Sequence, residues 1–381
     1  MAEPVVVEPV RNGGALRRFI SLPFRLFGDD PTWVPPLRMS VRDRLSPKHP
    51  ASGHQESALW LATRGGRPVG RIGACVDRMF NEFQDQAWAW VGFFEATDDP
   101  EVAGMLFDEA RAWSRSRGMS TMVGPGSFTT NDEPLGLLVE GFEHLPTVMT
   151  AQNPPYYEGL WTAAGWRPAM DLWGWLLDRQ RAEPMVSERQ RAVVERMLAR
   201  GRLRVREGNM SDFDTEVGRI FGVYEAAWAR NWGFAPMTQA EVRHMAKDLK
   251  LIVNPHWVLF VEREGASEPL AFALALPDIN RALVKLRGGR LLPFGWWRLL
   301  RVAKARRSAR VLLLGARPED QGLALGAVLY HELIKRSFAV DPLLETAELS
   351  WILATNDRMN AAAEQLGATH HKTWRLYEQA V

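Results

Sequence analysis

The predicted strands and helices occur in the same order in both halves of the 381-residue chain. Each half shows two or three early strands, then a strand followed by a helix, and finally a strand, a helix and a last strand. Apolar alternation indicates the strands, and apolar residues at helical spacing with a closing glycine indicate the helices. A chain of this length suits two domains of roughly 150–200 residues. The pattern therefore predicts an α/β (α+β) fold with two similar domains, although the halves share little residue identity.

The domain borders are predicted from this repeated order. We place a first domain at 1–180, a linking helix rich in Arg and Glu at 181–202, and a second domain at 203–381. Each domain contains an early hairpin, at 58–76 and at 257–276, in which two apolar runs flank a glycine turn. We expect each sheet to be mixed, mainly antiparallel and flanked by helices.

Composition and the chain start exclude several classes of protein. Cys75 is the only cysteine, so the chain has no intrachain disulfide and no cysteine-based metal site, and we expect this residue to be a small core side chain. The first nine residues lack the basic and apolar regions of a signal peptide. No run approaches the roughly 18 apolar residues that a spanning helix needs. We therefore expect a cytoplasmic protein, either soluble or bound peripherally to the inner face of the membrane.

Positive charge is concentrated in one segment. The net charge is +2, but the thirty residues from Arg281 to Arg310 hold ten Lys or Arg and no Asp or Glu, which leaves −8 on the remainder. Within 290–310, Trp296 and Leu300 fall on one helical face and Arg298 on another. Such a helix is typical of contact with a membrane surface. Two other interpretations of the segment stay open, a surface helix packed on the core and a contact with RNA. We favour the membrane over nucleic acid.

A loop of small residues follows a buried strand near residue 315. The apolar run 311–314 leads through this loop into a helix that begins near residue 325. Glycines let the backbone approach a ligand, and the free N–H groups at the start of a helix stabilise phosphate oxygens. The segment therefore indicates a phosphate-binding site.

The residues of this loop resemble the acyl-CoA signature of the GNAT superfamily, Gln/Arg-x-x-Gly-x-Gly/Ala. Gln321, Ala324 and Gly326 hold its fixed positions, and Ala324 departs from the usual glycine. GNAT domains also carry an Asn after the next strand and a Gly eleven residues later, a spacing that Asn356 and Gly367 match. The resemblance implies a GNAT domain in the second half.

The resemblance also implies a set of residues for acyl-CoA or acetyl-CoA. Main-chain amides near Leu325 would hold the pyrophosphate, and a main-chain N–H of 312–314 would polarise the thioester carbonyl. No metal is expected. The implied donor-binding residues are Leu314, Gly315, Arg317, Gln321, Gly322, Ala324, Leu325, Gly326 and Asn356.

The usual proton donor of the family is missing. GNAT domains often place a tyrosine seven residues after the Asn, where it protonates the departing thiolate, but Ala363 stands at that position. Tyr377 and His331 are the substitutes suggested by the sequence. Solvent is the remaining source of the proton.

The first half has the GNAT order of elements but lacks the CoA loop. Asp98 and Asp99 stand where the signature is expected, and acidic side chains would repel a pyrophosphate. We therefore expect this domain to shape the acceptor cleft, with polar loops between 124 and 157, although a purely structural loop stays open. The expected acceptor-binding residues are Asn131, Asp132, His144, Asn153, Tyr156 and Tyr157, together with Asn231 and Trp232 of the second half.

Acylation of an amine needs a base with a pKa near the working pH. The candidates are Asp132, Glu133, His144 and Glu348, of which Glu133 and Glu348 are favoured. Glu348 lies on the strand before Asn356, and GNAT enzymes often use this strand to address the acceptor. The expected catalytic set is Glu133, Glu348, Asn356 and Tyr377.

Over nearly its whole length the chain resembles a group of two-domain bacterial GNAT proteins. The matching segments are 30–36, 124–125, 131–133, 153–157, 231–234, 350–351 with Asn356, and 372–377. The group is similar to the bacterial ceramide synthases, which transfer a long acyl chain from acyl-CoA to the amine of a sphingoid base. The resemblance implies an acyl-CoA-dependent N-acyltransferase acting by direct attack.

Three alternatives to a lipid N-acyltransferase stay open at the level of sequence. One is a cytosolic N-acetyltransferase of a small amine or amino acid. Another is an aminoacyl-tRNA-dependent transferase, since such enzymes also use paired GNAT domains. The third is a non-catalytic acyl-CoA-binding protein, which Ala324 and Ala363 suggest.

Overall fold

The computed structural model describes residues 3–131, 134–291, 295–297, 301 and 307–381. Its strands join into one continuous sheet, in the order β1-β2-β3-β4-β5-β13-β7-β12-β11-β10-β9-β8, with β6 beside β13. In chain order the strands are β1 Val5–Pro9, β2 Gln55–Arg64, β3 Arg67–Asp77, β4 Trp88–Ala96, β5 Thr121–Gly124, β6 Leu137–Glu140, β7 Arg167–Asp178, β8 Leu203–Glu207, β9 Val258–Arg263, β10 Pro269–Pro277, β11 Ser308–Ala316, β12 Thr346–Leu353 and β13 Thr369–Ala380.

Helices pack on this sheet within both halves. In chain order they are α1 Gly13–Leu26, α2 Arg38–Arg44, α3 Arg78–Gln84, α4 Pro100–Arg115, α5 Tyr156–Ala163, α6 Arg179–Ala182, α7 Glu188–Gly201, α8 Phe213–Trp228, α9 Gln239–Lys250, α10 Asn280–Leu283, α11 Leu325–Val340 and α12 Asp357–Gln365. No helix in the part of the chain that the structure describes is long and apolar enough to cross a membrane.

The sheet is mixed, as the sequence predicts. Two pairs of neighbouring strands are parallel, β4 with β5 and β11 with β12, and the other described pairs are antiparallel. A cis peptide bond follows the last paired residue of each parallel pair, at Gly124–Pro125 and at Ser350–Trp351. The predicted α/β class with a mainly antiparallel sheet in each half is confirmed.

The final strand connects the two halves. β13 belongs to the end of the chain, yet it lies between β5 and β7 and pairs with both. β7, from the first half, pairs in turn with β12 of the second half. The linking helix predicted at 181–202 contains α7, and the predicted borders of the domains stay a prediction.

Each half has a core between the sheet and its long helix. α4 buries Val102, Leu106 and Ala110 on one face, which matches the apolar spacing in the sequence. α11 buries Val328 and Leu329 against the strands of the second half. Cys75 is fully buried, as expected for a core residue.

The basic aromatic segment is only partly described. Most of the helix predicted within 290–310 lies outside the described residues. Of its tryptophans, Trp296 is 45% exposed and Trp297 is 53% exposed.

Candidate active site

A cleft opens where β11 and β12 separate. Their parallel pairing ends at Val311 and Leu349. Beyond that point β11 stays paired with β10 as far as Ala316, while β12 stays paired with β7 as far as Leu353. The described residues form no further pairs between the two facing edges. The result is a wedge-shaped cavity of about 270 Å³ whose walls include main-chain groups available to a ligand.

A β-bulge lies at the narrow end of this cleft. Leu274 pairs with Leu313 and Ala275 pairs with Val311, so Leu312 is an extra residue on β11. The extra residue of a bulge has no ladder partner, and bulges are common next to active sites. The main-chain N–H of Leu312 is therefore a suitable donor to a carbonyl oxygen held in the cleft.

The start of α11 forms the other end of the cleft. A short 3-10 turn, Pro318–Leu323, precedes Ala324, which has a left-handed φ of +52°. α11 begins at Leu325 and has no side-chain cap, so its first amides are available to an anion. The positive φ explains the usual glycine at the position of Ala324, because a Cβ makes this conformation costly by about 1 kcal/mol.

Arg358 is a cleft residue that the sequence reasoning missed. It lies in the first turn of α12 and lines the cleft, where its guanidinium donates to the Gln321 side-chain oxygen (3.1 Å) and main-chain oxygen (2.9 Å). Asn356 caps the same helix by accepting from the Met359 N–H at 3.2 Å. Arginine suits a phosphate because it presents several donors in one plane. The signal in the sequence is its position two residues after Asn356.

Most of the residues expected to bind the donor line this cleft. Those that do are Leu314, Gly315, Gln321, Leu325, Gly326 and Asn356. Three are not among the lining residues: Arg317 donates instead to the Pro269 carbonyl at 3.0 Å, Gly322 faces open space, and Ala324 shapes the turn.

An apolar pocket adjoins the cleft. Trp228, Leu312 and Trp351 line both spaces. The pocket lies between α8, α9 and the sheet. Its apolar walls include Val217, Ile220, Met237, Val242, Met245 and Leu249.

A loop from the first half packs on residues 233–235 of the second half. Thr130 donates to the Gly233 carbonyl at 2.6 Å, and Asn131 donates to the Ala235 carbonyl at 2.7 Å. Asn131 also accepts from the Tyr224 hydroxyl at 3.0 Å and lines the apolar pocket. The next two residues, Asp132 and Glu133, lie outside the described residues.

The expected acceptor residues of the second half lie close together. Asn231 lines the cleft, and Trp232 packs against Trp88 with ring centroids 5.8 Å apart. Both belong to the segment that the first-half loop contacts. The structure therefore brings Asn131 and Asn231 to the same side of the site.

The other expected acceptor residues lie elsewhere. His144 and Asn153 line a separate cavity of about 420 Å³ in the first half. Tyr156 donates to the Ala96 carbonyl at 2.8 Å, and the Ala96 N–H donates to the Tyr157 hydroxyl at 3.1 Å. None of these four side chains lines the cleft or the apolar pocket.

Glu348 is buried in a polar network beside the cleft. Its carboxylate accepts from Thr147 at 2.7 Å and from Ser350, a cleft residue, at 2.5 Å. His371 lies 3.0 Å and Lys372 3.9 Å from its other oxygen. Burial opposes ionisation, but His371, Lys372 and Ser350 together lower the pKa of Glu348 to about 2. Such a carboxylate is a stable negative charge rather than a ready proton acceptor.

The same network holds a loop of the first half. Lys372 donates to the Leu145 carbonyl at 2.7 Å, and Arg310 donates to the Val148 carbonyl at 2.9 Å. Asn280 donates to the Pro146 carbonyl at 2.9 Å. The sequence reasoning missed these residues, although a charged residue inside an apolar strand, such as Arg310, is a usable signal.

Tyr377 and His331 lie outside the cleft. Tyr377 packs on Trp161 in the first-half core and donates to Glu158 at 2.8 Å. Burial and the Glu158 carboxylate raise the pKa of Tyr377. His331 is buried, and its Nδ1 lies 2.8 Å from the Met185 carbonyl oxygen.

Two curated relatives resemble the chain over almost its full length. The bacterial ceramide synthase of Caulobacter vibrioides is 38% identical, with 98% of this chain and 97% of that protein covered. Protein YghO of Escherichia coli is 35% identical, with 99% and 95% covered. No protein-family model matches the chain.

The fold is also similar to that of solved structures. A tandem GNAT protein from the clavulanic acid biosynthesis pathway superimposes with a TM-score of 0.59 at 12% identity, covering 99% of this chain and 98% of that one. At this identity the likeness concerns the fold, which confirms the tandem GNAT architecture. Together with the two curated relatives, it shows that the chain belongs to the family of two-domain GNAT acyltransferases that includes the Caulobacter bacterial ceramide synthase.

Proposed function

We propose that this enzyme transfers a long acyl chain from acyl-CoA to the primary amine of a lipid such as a sphingoid base. The observation that carries the proposal is the apolar pocket that adjoins the cleft and shares Leu312 and Trp351 with it. A relative of similar length is named a ceramide synthase, and a ceramide is the amide of such a base.

The pocket favours a hydrocarbon ligand on physical grounds. Burial of each CH₂ group in apolar surroundings contributes about 0.8 kcal/mol. Side chains such as Ile220 and Met245 offer such surroundings, and a methyl group from an acetyl donor would leave most of them without a ligand contact. A long acyl chain fills the pocket while its carbonyl lies at the Leu312 bulge.

The cleft suits the CoA part of the donor. The unpaired edges of β11 and β12 offer amides and carbonyls to the pantetheine arm, which carries two amide groups of its own. The uncapped start of α11 and the Arg358 guanidinium together suit the pyrophosphate. These features favour binding of an acyl-CoA in this half.

The proposed reaction is direct attack of the amine on the thioester. The Leu312 N–H stabilises the oxyanion that forms. Glu133 or Asp132 takes the proton of the ammonium, which is supported by the position of their neighbour Asn131 at the pocket. Glu348 holds the Ser350 hydroxyl, which donates to it, and so fixes this wall of the cleft rather than taking a proton.

A lipid acceptor implies a membrane as its source. Trp296 and Trp297 are exposed within the basic segment 290–310, and such residues favour the interface of an anionic bilayer. We propose that this segment contacts the inner face of the membrane. His144, Asn153, Tyr156 and Tyr157, which line or lie near the first-half cavity, stay predictions as acceptor residues.

The proposal is tested by a matrix of donors and acceptors. Purified enzyme is incubated with palmitoyl-CoA or acetyl-CoA and with a sphingoid base or a small polyamine, and the amide products are measured by mass spectrometry. We expect turnover of palmitoyl-CoA with the sphingoid base to exceed every other pair by at least about tenfold, since even two buried CH₂ groups supply more than 1.4 kcal/mol.

A pocket variant gives the matched control. In Met245→Trp the larger ring fills the pocket, so palmitoyl transfer should fall while binding of free CoA is retained. Met245→Leu conserves the volume and should behave like the wild type. Preferential use of acetyl-CoA with the polyamine by the wild type would contradict the proposal.

A further inference from the structure

The departing thiolate of CoA needs a hydrogen-bond donor, and the helix that follows the cleft does not supply one. Amide formation breaks the carbon–sulfur bond and leaves an electron pair on sulfur. Ala363 of α12 is completely buried and has only a methyl group to offer. A donor at this point must therefore come from another element.

Tyr330 of α11 lies at the narrow end of the cleft. It lines both the cleft and a small neighbouring cavity of about 50 Å³, and the residue is 5% exposed. It belongs to one buried cluster with Leu349 and Ala363, with Val311 packed against that cluster. Val311 and Leu349 are the last paired residues of β11 and β12, so the phenol ring lies where the wedge closes.

The hydroxyl of Tyr330 has no partner in the part of the chain that the structure describes. Burial alone raises the pKa of Tyr330, with no charged or hydrogen-bonding neighbour contributing. Its oxygen is not fully enclosed by the protein, although the residue as a whole is buried. A phenol that stays protonated, reaches the cleft and lacks a protein acceptor is suited to donate to a ligand.

We propose that Tyr330 is the catalytic donor to the CoA sulfur, a role that rests on the proposed use of acyl-CoA. The amine nitrogen bonds to the carbonyl carbon, the carbon–sulfur bond breaks with its electron pair on sulfur, and the Tyr330 hydroxyl stabilises the thiolate by donating a hydrogen bond to it. The nitrogen loses a proton to the base, and the thiolate takes one from solvent in the cleft. The products are the amide and the CoA thiol.

The test compares the wild type with Tyr330→Phe, which keeps the ring and removes one oxygen. Ionisation of the bound CoA thiol is followed by thiolate absorbance, with desulfo-CoA as the reference. We expect the thiol to ionise about one pH unit lower in the wild type, because a hydrogen bond to the thiolate favours that form. Equal thermal melting temperatures show that the variant is folded.

Leaving-group chemistry provides the second readout. With palmitoyl-CoA, kcat of Tyr330→Phe should fall by about 100-fold, within the usual range for loss of one hydrogen-bond donor to a charge that forms in the transition state, while KM changes little. With the palmitoyl thioester of 4-nitrothiophenol, whose thiolate leaves without a proton, the two proteins should turn over at similar rates.

The outcomes separate this inference from the proposed function. If both proteins bind CoA but show the same thiol titration and the same loss with both thioesters, Tyr330 is not the donor and the proposed function stands. If the wild type binds neither CoA nor palmitoyl-CoA, the proposed function is overturned, and the role of Tyr330 with it.

Discussion

The two pairs of parallel strands, β4 with β5 and β11 with β12, end in different ways. After the last pair of the first half, the chain turns back and the Gly126 N–H donates to the Val91 carbonyl at 2.9 Å. The contact is close, since a Cβ added to Gly92 would lie 1.7 Å from the Gly126 oxygen. In the second half the edges beyond Val311 and Leu349 part and form the cleft. The same strand order thus produces one closed wedge and one open wedge.

The helices that follow these wedges differ at their first turns. Asp99 caps α4 by accepting from the Glu101 N–H at 3.0 Å, and it pairs with Arg64 at 2.7 Å. α11 has no such cap. One helix therefore satisfies its first amides with a carboxylate of its own chain, while the other leaves them for an anionic ligand.

A third difference lies one residue before each wedge. Ala89 faces Met122 across the first parallel pair, and Arg310 faces Glu348 across the second. All four residues are buried. The first half keeps an apolar core at this place, whereas the second half keeps two buried charges. Buried charges are costly unless they are paired, so a buried pair at a position that is apolar beside the closed wedge supports a role in the function of the open cleft.

The largest effect should come from making α11 resemble α4. Gly326→Glu places a carboxylate at the open start of the helix, where a like charge against a pyrophosphate costs several kcal/mol. We expect CoA affinity to fall by at least about 100-fold, measured by calorimetric titration.

Gly326→Ala is the matched control for this change. A Cβ at this position would lie 3.8 Å from Leu314 Cδ2, an ordinary contact, so the fold should tolerate it. Unchanged CoA binding in Gly326→Glu would show that the start of α11 does not hold the pyrophosphate.

The next effect concerns the buried charges. Glu348→Gln removes the partner of Lys372 and His371 and should destabilise the protein at pH 7 by about 3–5 kcal/mol. The pKa of Glu348 falls from its ordinary 4.5 to about 2 in the folded protein. Because the folded value is the lower one, its stabilising effect is complete above pH 4.5 and is lost as the pH falls toward 2.

Denaturant unfolding at several pH values measures both parts of this expectation. The wild type should lose stability between pH 4.5 and 2 more steeply than Glu348→Gln does. Met122→Leu, at the matching position of the first half, is the control and should leave the pH dependence unchanged. Parallel pH profiles of the wild type and Glu348→Gln would contradict the assignment.

The residues predicted for the donor lie together at the cleft more completely than the residues predicted for the acceptor. Gln321, Gly326 and Asn356 occupy a short segment whose order follows from one strand, one loop and one helix start, so local spacing was enough to place them. The departure at Ala324 was also visible in the sequence, because the glycine that is usual at this position suits a left-handed turn, which is a local property. Arg358 was missed because a cation in a first helical turn is common on any surface.

Residues far apart in sequence were harder to place. The insertion of β13 between β5 and β7 brings Lys372 beside Glu348 and carries Tyr377 into the first-half core. Spacing along the chain contains no information on such an exchange of strands. Tyr330 was missed for a similar reason, since its place in one buried cluster with Leu349 depends on how α11 packs on the sheet.

The smallest effect tests whether the first half is already complete without an anion. Asp99→Ala removes the cap of α4 and should lower stability by about 1 kcal/mol, as loss of such caps commonly does. Asp99→Asn keeps a capping oxygen and should cost less. Neither variant should change CoA affinity, because the proposed donor site lies at α11. If Asp99→Ala instead created a second CoA site, measured as a stoichiometry above one in calorimetry, the closed wedge and the open wedge would differ only by this carboxylate. A stoichiometry that stays at one would mean that the return of the chain at Gly126 is enough to exclude the ligand.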